Sequence, residues 1–279
     1  METRGRLEIR IVELIDRLPP LPEDIDCLMR SYEEDCRQEE KLIDVISQDP
    51  GLCTDLLHLA NTYYAKSKTK IETISEAVRE VGISPLVQLV GVWHSGNIIR
   101  REFSLLKHLD EYFIHSQNIS LGCRILYEIT SVKEHASEML AVAGLIHDIG
   151  HLVILLASKK RTASLMGTPW NKMKSIVHEE REILGMDHCI IGEQLTKKWS
   201  FSHYMQEGIR RHHSPLIDDD FNYLGGMIFM AHFVTYSDFT GQMLAEVLQS
   251  ELCDRLGLDI NGFEEARKEY KSREHNKSL

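Results

Sequence analysis

The chain has 279 residues and a formal net charge of −11 at pH 7, with 43% hydrophobic and 27% charged residues. This length allows one large domain or two packed lobes, and the composition is ordinary for a globular protein rather than for a disordered one. The acidic balance argues against a nucleic-acid duplex as a partner, because duplex binding depends on clustered lysine and arginine that neutralise phosphates.

The first part of the chain predicts short helices. Aromatic content is only 7%, and long alternating runs of β-branched residues are missing, which favours an all-α fold. Residues 18–22, LPPLP, predict a stiff connector, and apolar residues recur at helical spacing from there to about residue 100. Three pairs of an N-cap residue and a proline predict helix starts. These pairs are Asp49-Pro50, Ser84-Pro85 and Thr168-Pro169.

Longer helices are predicted beyond residue 105. Their expected ranges are 107–130, 135–157, 169–184, 187–199, 201–213 and 220–239, with two more helices toward the C-terminus. The breaks fall at Gly167, at Gly185 and over 215–220. The charged end, 264–277, is predicted to be either a frayed helix or disordered. We therefore predict two packed helical lobes, residues 1–104 and 105–279.

The cellular location is predicted from cysteine usage and from the apolar segments. The six cysteines form no CxxC pair, and residues 1–15 lack the apolar core of a signal peptide. The segment 139–157 approaches the length of a membrane span, but His147, Asp148 and His151 interrupt it, and charge is costly in lipid. We therefore predict a cytoplasmic protein with free thiols, a buried central helix and no membrane partner.

Histidines and one aspartate interrupt apolar helical stripes at separate places along the chain. These residues are His115, His147, Asp148, His188, His212, His213 and His232. An aspartate buried without a partner is costly, and a divalent cation removes that cost. Neutral imidazoles donate a lone pair to iron, manganese or zinc. The pattern predicts a metal pocket that several helices of a bundle fill from different directions.

Alternatives without metal exist for individual residues. A single histidine on an apolar face, such as His232, is often a hydrogen-bonded core residue, and His147 with Asp148 could be a buried hydrogen-bonded pair. The adjacent His212 and His213 lie about 100° apart on an ideal helix, so both reach one cluster only if they flank it or the helix loosens. Cys189 follows His188 directly and is a candidate thiol beside the site, but the favoured interpretation is a small buried hydrophobic residue. The histidines interpreted as surface or structural residues are His58, His94, His108, His135, His178 and His203.

The order of these residues, with His147 and Asp148 inside GLIHDIG, resembles the HD superfamily of metal-dependent phosphohydrolases. More narrowly, the chain resembles the HDOD family, bacterial proteins related to the HD-GYP phosphodiesterases. The segments LPPLPEDIDCLM, IETISEAVREVG, EREILGMDHCIIGEQLTKKW and IRRHHSP carry this narrower likeness. It covers most of residues 14–240.

The resemblance implies an HD-type helical bundle in the second lobe and a dinuclear centre of divalent ions. Iron or manganese is favoured, with zinc, nickel or magnesium as alternatives. Asp148 would bridge the two ions. The implied ligands of one ion are His115 and His147, and those of the other are His188, His212 and His213.

Several positions depart from the family pattern. His232 stands where HD proteins usually have an aspartate, and it would complete the first ion's ligands, with Asp238 as the nearest alternative carboxylate. Either Glu180 or Glu182 would supply a supporting or bridging carboxylate. The implied catalytic residues are Asp148 and His151. His151 replaces a lysine that is common in active HD-GYP enzymes, and no GYP motif follows His213, so hydrolysis of cyclic di-GMP is not expected.

Three functions are compatible with this pattern. The first is a signal-transduction protein that hydrolyses a phosphoester or nucleotide with two metal ions, which clamp the phosphate and activate water. The second is a regulatory binding module that retains the metal site. The third is an iron-dependent oxygenase. The expected partner is a phosphorylated small molecule or a signalling protein.

Overall fold

The protein, analysed as a computed structural model, is described for residues 4–31, 38–63, 70–104, 109–132, 139–158, 173–236 and 242–277. Six helices form its first part. They are α1 (Arg4–Arg17), α2 (Glu23–Ser31), α3 (Gln38–Gln48), α4 (Pro50–Tyr63), α5 (Ile74–Val81) and α6 (Ile83–Glu102). Helices α2 to α6 pack on one another around buried apolar side chains.

Seven helices of 7 to 21 residues form the next part of the described chain, and as a set they are no longer than the first six, so the prediction of longer helices is wrong. They are α7 (Leu109–Ile129), α8 (Leu140–Ile146), α9 (Ile149–Ser158), α10 (Met173–Leu184), α11 (His188–Lys198), α12 (His203–Arg211) and α13 (Tyr223–Thr235). Helices α14 (Gln242–Leu248), α15 (Glu251–Leu256) and α16 (Ile260–Lys277) follow. The all-α fold is confirmed. A hairpin of two-residue strands, β1 (Leu216–Ile217) and β2 (Asp220–Phe221), was not predicted, because two residues are too few to show alternation.

The first residues of the helices can be compared with the three predicted pairs of an N-cap residue and a proline. The start at Asp49-Pro50 is confirmed, because α4 begins at Pro50 and the Asp49 carboxylate accepts hydrogen bonds from the backbone N–H groups of Gly51 and Leu52. The start at Ser84-Pro85 is wrong, because α6 begins two residues before Pro85, at Ile83, with Gly82 as the N-cap residue. Gly82 has a φ of 94° and also ends α5. Gly167 and Thr168-Pro169 lie outside the described residues.

The continuous helix predicted over 135–157 is wrong. Helix α8 ends at Ile146 and α9 begins at Ile149, so His147 and Asp148 occupy a turn between them. Close helix contacts flank this turn. A Cβ atom on Gly144 would lie 2.6 Å from the Cα of Ser120 in α7, and one on Gly150 would lie 2.0 Å from the carbonyl oxygen of His188 in α11. Two glycines therefore let α8 and α9 approach different neighbours on either side of the turn.

The C-terminal part also differs from the prediction. The described residues from 242 to 277 contain three helices rather than two, because Ser250 is the N-cap of α15 and Gly257, with a φ of 62°, ends it. The charged end, 264–277, lies within α16, which confirms the helical alternative.

One described segment, Leu140–Ala157, is long and apolar enough to cross a membrane by length and composition alone. Within the protein 83% of it is buried, as expected for the core helix of a bundle. It contains α8, the turn and most of α9, so the turn between these helices lies in the protein interior.

The first helix packs on the second part of the chain. Helix α1 contacts α9 and α10, and its apolar side chains Leu7, Ile11 and Ile15 are buried. The Lys198 ammonium donates hydrogen bonds to the carbonyl oxygens of Ile15 and Asp16, near the end of α1. The Trp199 indole N–H donates to the carbonyl of Pro19. The predicted division at 104/105 borders undescribed residues 105–108 and stays a prediction.

Candidate metal centre

The structure brings all of the predicted site residues into one buried cluster. His115 comes from α7, and His147 and Asp148 come from the turn between α8 and α9. The other members are His151 on α9, His188 at the start of α11, His212 and His213 after α12, and His232 on α13. Five segments that are distant in sequence therefore supply the cluster.

We define the first donor group as His115, His147, Asp148 and His232, whose candidate ligand atoms all lie within 4.8 Å of one another. The Nε2 atom of His147 lies 3.2 Å from Nε2 of His115 and 3.1 Å from Nε2 of His232. The Asp148 Oδ2 atom lies 3.2 Å from His115 Nε2 and 3.3 Å from His147 Nε2. Three nitrogens and one oxygen thus face a common point.

We define the second donor group as His188, Cys189, His212 and His213, whose ligand atoms also lie within 4.8 Å of one another. The Nε2 atoms of His188 and His212 are 3.3 Å apart. The other carboxylate oxygen of Asp148, Oδ1, lies 3.2 Å from His212 Nε2 and 3.6 Å from His188 Nε2. Asp148 therefore stands between the groups and turns one oxygen to each.

Hydrogen bonds fix which nitrogen carries the proton in several rings. Three imidazoles use Nδ1 to contact a carbonyl oxygen nearby on the chain: His147 contacts Gly144 at 3.0 Å, His212 contacts Ile209 at 2.6 Å and His232 contacts Ile228 at 2.9 Å. A carbonyl oxygen only accepts hydrogen bonds, so each Nδ1 must be the donor. In the neutral ring the Nε2 atom then presents its lone pair to the cluster.

The donor set fits a divalent metal. Lone pairs on Nε2 atoms only 3.1–3.3 Å apart repel each other unless a cation or proton lies between them. Asp148 Oδ1 is buried, and the described residues supply it with no hydrogen-bond donor. A carboxylate oxygen without a hydrogen-bond donor, among convergent nitrogen lone pairs, is the arrangement that a divalent cation stabilises.

Glu180 on α10 orients the second donor group. Its Oε2 atom accepts hydrogen bonds from His188 Nδ1 at 2.6 Å and from the backbone N–H of His188 at 2.9 Å. Its Oε1 atom lies 3.2 Å from Nδ1 of His151. Glu180 is buried and Glu182 is exposed, so the first of the two predicted carboxylates is the one at the site.

His151 differs electrostatically from the other buried histidines. Burial opposes its charge, but Asp148 and Glu180 outweigh that effect and raise the pKa of His151 to about 9. Its Nε2 atom lies 3.9 Å from Asp148 Oδ1, beyond hydrogen-bond distance, and its ring stacks on that of His188. His151 is therefore an imidazolium at neutral pH, held between two carboxylates.

Four other histidines of the cluster have lowered pKa values and are neutral at pH 7. Burial lowers the pKa of His147 to about 4 and also lowers the pKa values of His188, His213 and His232. Burial acts in the opposite sense on Asp148, but His147 and His151 outweigh it and hold the pKa of that carboxyl well below its usual range. Neutral imidazoles beside an ionised carboxylate are the protonation states that metal binding requires.

The end of α12 explains how two adjacent histidines reach one group. The helix ends at Arg211, so His212 and His213 lie in the turn beyond it and need not point 100° apart. Their ring centroids lie 5.2 Å and 4.8 Å from that of His188. His58, His178 and His203 are exposed, and His94 is partly buried, as expected for residues outside the cluster. His108, His135 and Asp238 lie outside the described residues.

Three residues near the site were not predicted as functional. The Tyr236 hydroxyl contacts His115 Nδ1 at 2.5 Å. Cys189 belongs to the second donor group, and burial raises the pKa of its thiol well above the usual value. Asp187 begins α11 by accepting a hydrogen bond from the backbone N–H of Ile190. Of these, only Cys189 carried a sequence signal, its position directly after His188.

Comparisons with known proteins agree with this fold. The chain is 26% identical over 211 residues to an uncharacterized protein of Treponema pallidum (strain Nichols), a match that covers 75% of this chain and 40% of that protein. The chain thus spans less than half of the length of that curated relative.

Two solved structures from Shewanella amazonensis SB2B are similar to it. One, provisionally described as a phosphohydrolase, has a TM-score of 0.67 and 22% identity, covering 95% of this chain and 96% of that chain. The other, provisionally described as a metal-dependent phosphohydrolase, has a TM-score of 0.64 and 20% identity, covering 98% of this chain and 99% of that chain. At these identities the likeness shows the fold.

The sequence match to a known domain is more specific. The HDOD domain matches residues 18–215, which contain every member of the histidine and aspartate cluster except His232. Because this match covers well over half of the chain, the chain belongs to the HDOD domain family.

Proposed function

We propose that this protein is a cytoplasmic, metal-dependent phosphohydrolase that acts on a phosphoester or nucleotide in signal transduction. The observation that carries the proposal is the position of Asp148, whose two oxygens face separate donor groups. A carboxylate in this position suits two ions held close together, and such pairs are common in phosphatases and nucleases. The ions, when bound, supply Lewis acidity to the phosphate oxygens and to the attacking water.

The described residues define the side from which a phosphate would approach. The side chains of His147, His188 and His212 are fully buried, whereas those of His115 and Asp148 keep 16% and 10% exposure. The donors on the inner side would hold the ions. The partly exposed His115 and Asp148 mark the side where substrate and water would enter.

His151 would assist departure of the leaving group. In the metal-free protein, despite its burial, Asp148 and Glu180 raise its pKa to about 9, and its Nε2 atom lies 3.9 Å from Asp148 Oδ1, beyond hydrogen-bond distance. As water attacks phosphorus and the bond to the leaving oxygen breaks, His151 would donate its proton to that oxygen. The proton that the water loses balances this transfer over one turnover. Glu180 would keep the ring oriented through its contact with Nδ1.

A regulatory module that retains the metal centre is the second candidate. His232 favours it, because this fully buried residue supplies a neutral nitrogen where HD proteins usually have an aspartate. The first donor group then contains a single carboxylate among the described residues. A centre with less negative charge attracts the cation less strongly and could serve ligand sensing without turnover.

Two measurements separate these candidates. Elemental analysis of protein purified without added metal should find iron or manganese at close to stoichiometric amounts. A screen of phosphomonoesters, phosphodiesters and nucleotides with Mn²⁺ should find turnover that Asp148→Ala and His147→Ala abolish. The exposed His178 on α10 offers a matched control, and His178→Ala should retain activity. Metal-loaded protein with no turnover on any phosphoester would exclude the hydrolase and leave the regulatory module.

A further inference from the structure

Cys189 lies against the second donor group rather than in a purely apolar environment. It is only 3% exposed, and its Sγ atom lies 3.5 Å from Nε2 of His188. The same Sγ atom lies within 4.8 Å of the candidate ligand nitrogens of His212 and His213. A sulfur atom therefore shares the space into which three imidazole nitrogens converge.

The start of α11 holds this sulfur in place. Asp187 accepts the backbone N–H of Ile190 at 2.9 Å, which fixes the first helical turn. Glu180 binds both the backbone N–H and the ring Nδ1–H of His188. These contacts fix the positions of His188 and Cys189 in the metal-free protein.

We propose that Cys189 is a direct thiolate ligand of the ion held by the second donor group. The inference rests on the proposed metal centre and deepens it. On binding, a sulfur–metal bond forms, the S–H bond breaks and the proton passes to solvent. The ion thus takes the place of the thiol proton, and each ion bound at this group releases one proton from Cys189.

A sulfur donor makes the two donor groups chemically different. The first group offers three nitrogens and one carboxylate oxygen, with no sulfur among the described residues. The second group offers three nitrogens and a thiolate, with Asp148 Oδ1 3.2 Å from His212 Nε2. Thiolates favour zinc and iron, whereas carboxylates suit manganese and magnesium. We therefore expect the second group to retain zinc or ferrous iron against an excess of magnesium or manganese.

Cobalt substitution tests the inference in the 279-residue chain. Co²⁺ bound to a thiolate shows an intense near-ultraviolet charge-transfer band, which Co²⁺ bound to nitrogen and oxygen lacks. We expect the band in the wild type and its loss in Cys189→Ser. Cys253 is a matched control, because it is also buried, lies outside both donor groups and donates its S–H to the carbonyl of Val247, a bond that serine retains. Cys253→Ser should keep the band.

A second readout does not depend on the folding of a variant. X-ray absorption of the zinc-loaded wild type should show a sulfur neighbour at ~2.3 Å from zinc.

A third measurement uses the variant. The affinity for zinc should fall at least ~10-fold in Cys189→Ser, since even residues that only support metal ligands contribute about that much.

The outcomes distinguish this inference from the proposed function. Cobalt-loaded wild type with visible ligand-field bands but no charge-transfer band would overturn the Cys189 assignment and leave the metal centre intact. A band that persists in Cys189→Ser would also overturn it. A band that Cys189→Ser removes, in a protein without phosphoesterase activity, would support Cys189 while the hydrolase proposal fails.

Discussion

Glu180 illustrates how one buried side chain controls the cluster without facing an ion. It fixes the His188 ring and the charge of His151 at the same time. We predict that Glu180→Gln lowers metal affinity by ~10- to 100-fold, the usual cost of losing the partner of a ligand histidine. Isothermal titration calorimetry of metal-free protein with Zn²⁺ measures the affinity. Glu182→Gln, at an exposed position on the same helix, is the control, and equal affinities in the two variants would refute the prediction.

The buried histidines should make the metal-free protein sensitive to acid. Burial lowers the pKa of His147 from 6.5 to about 4 and shifts His188, His213 and His232 in the same direction. The unfolded chain then binds more protons than the folded one as the pH falls below 6.5, so the free energy of unfolding decreases toward pH 4. For His147 this amounts to about 1 kcal/mol per pH unit between pH 6.5 and 4, and the other three histidines act in the same direction.

His151 has the opposite pH dependence. Its folded-state pKa of about 9 is raised, so its contribution to stability is complete below 6.5 and is lost as the pH rises through 9. It opposes the acid effect of the neutral histidines as the pH falls toward 6.5 and adds nothing more at lower pH, so the net free energy of unfolding still decreases toward pH 5. Urea denaturation of chelator-treated protein should give a lower free energy of unfolding at pH 5 than at pH 7. A free energy that is unchanged or higher at pH 5 would contradict the assigned neutral state of the buried histidines.

Residue types carried most of the information about the site. His115, His188 and His232 were predictable because each interrupts an apolar stripe at a cost that packing does not repay. The choice between Glu180 and Glu182 was not predictable, because it depends on which face of α10 meets α11. Tyr236 gave no signal, and Cys189 gave only a weak one from its position beside His188, since tyrosine and cysteine are common in apolar helical segments.

At the scale of elements, the contact of α9 with α11 depends on Gly150. A Cβ atom there would lie 2.0 Å from the carbonyl oxygen and 2.8 Å from the carbonyl carbon of His188, and backbone atoms cannot move aside cheaply. We predict that Gly150→Ala destabilises the protein by ~1–3 kcal/mol or more and displaces His188 from the second donor group. Chemical denaturation and metal titration of the variant measure the two effects.

Gly96 on α6 provides the matched control for Gly150. No heavy atom lies within 4 Å of a Cβ atom built there, and the residue is in the interior of the helix. Gly96→Ala should therefore raise the free energy of unfolding by ~0.5–1 kcal/mol, because alanine loses less conformational freedom on folding. If both variants were stabilised, the close approach of α9 and α11 would not be the constraint that the structure indicates.

Hydrophobic periodicity located the helices but not the break at residues 147–148. The run from Leu140 to Ala157 is apolar on all sides, so no change of period marks the turn. Gly144 and Gly150 were the only hints, and glycine within an apolar helix has several explanations. The short β1–β2 hairpin was missed for the same reason, because pattern analysis needs more residues than each strand contains.

For the whole molecule, removal of metal should cost stability. An ion present at 100 times its dissociation constant adds ~2.7 kcal/mol to the free energy of unfolding. In a protein of this size that corresponds to roughly 5–10 °C in Tm. Thermal melting with and without chelator should show this shift for the wild type. Asp148→Ala should melt at the same temperature in both conditions, and a chelator effect of equal size in that variant would show that the ion binds elsewhere.

The packing of α1 on the second part of the chain determines which fragments of the protein can fold alone. Its buried face, Leu7, Ile11 and Ile15, packs on α9, the helix that carries His151. Lys198 and Trp199 donate hydrogen bonds to backbone carbonyl groups at and just after the end of α1. Helix α1 thus covers the outer side of α9, the helix that also carries a residue of the cluster. A fragment starting at residue 105 would lack α1, so the apolar surface of α9 that α1 covers would be exposed to solvent. We expect this fragment to aggregate unless residues 4–22 are supplied as a separate peptide.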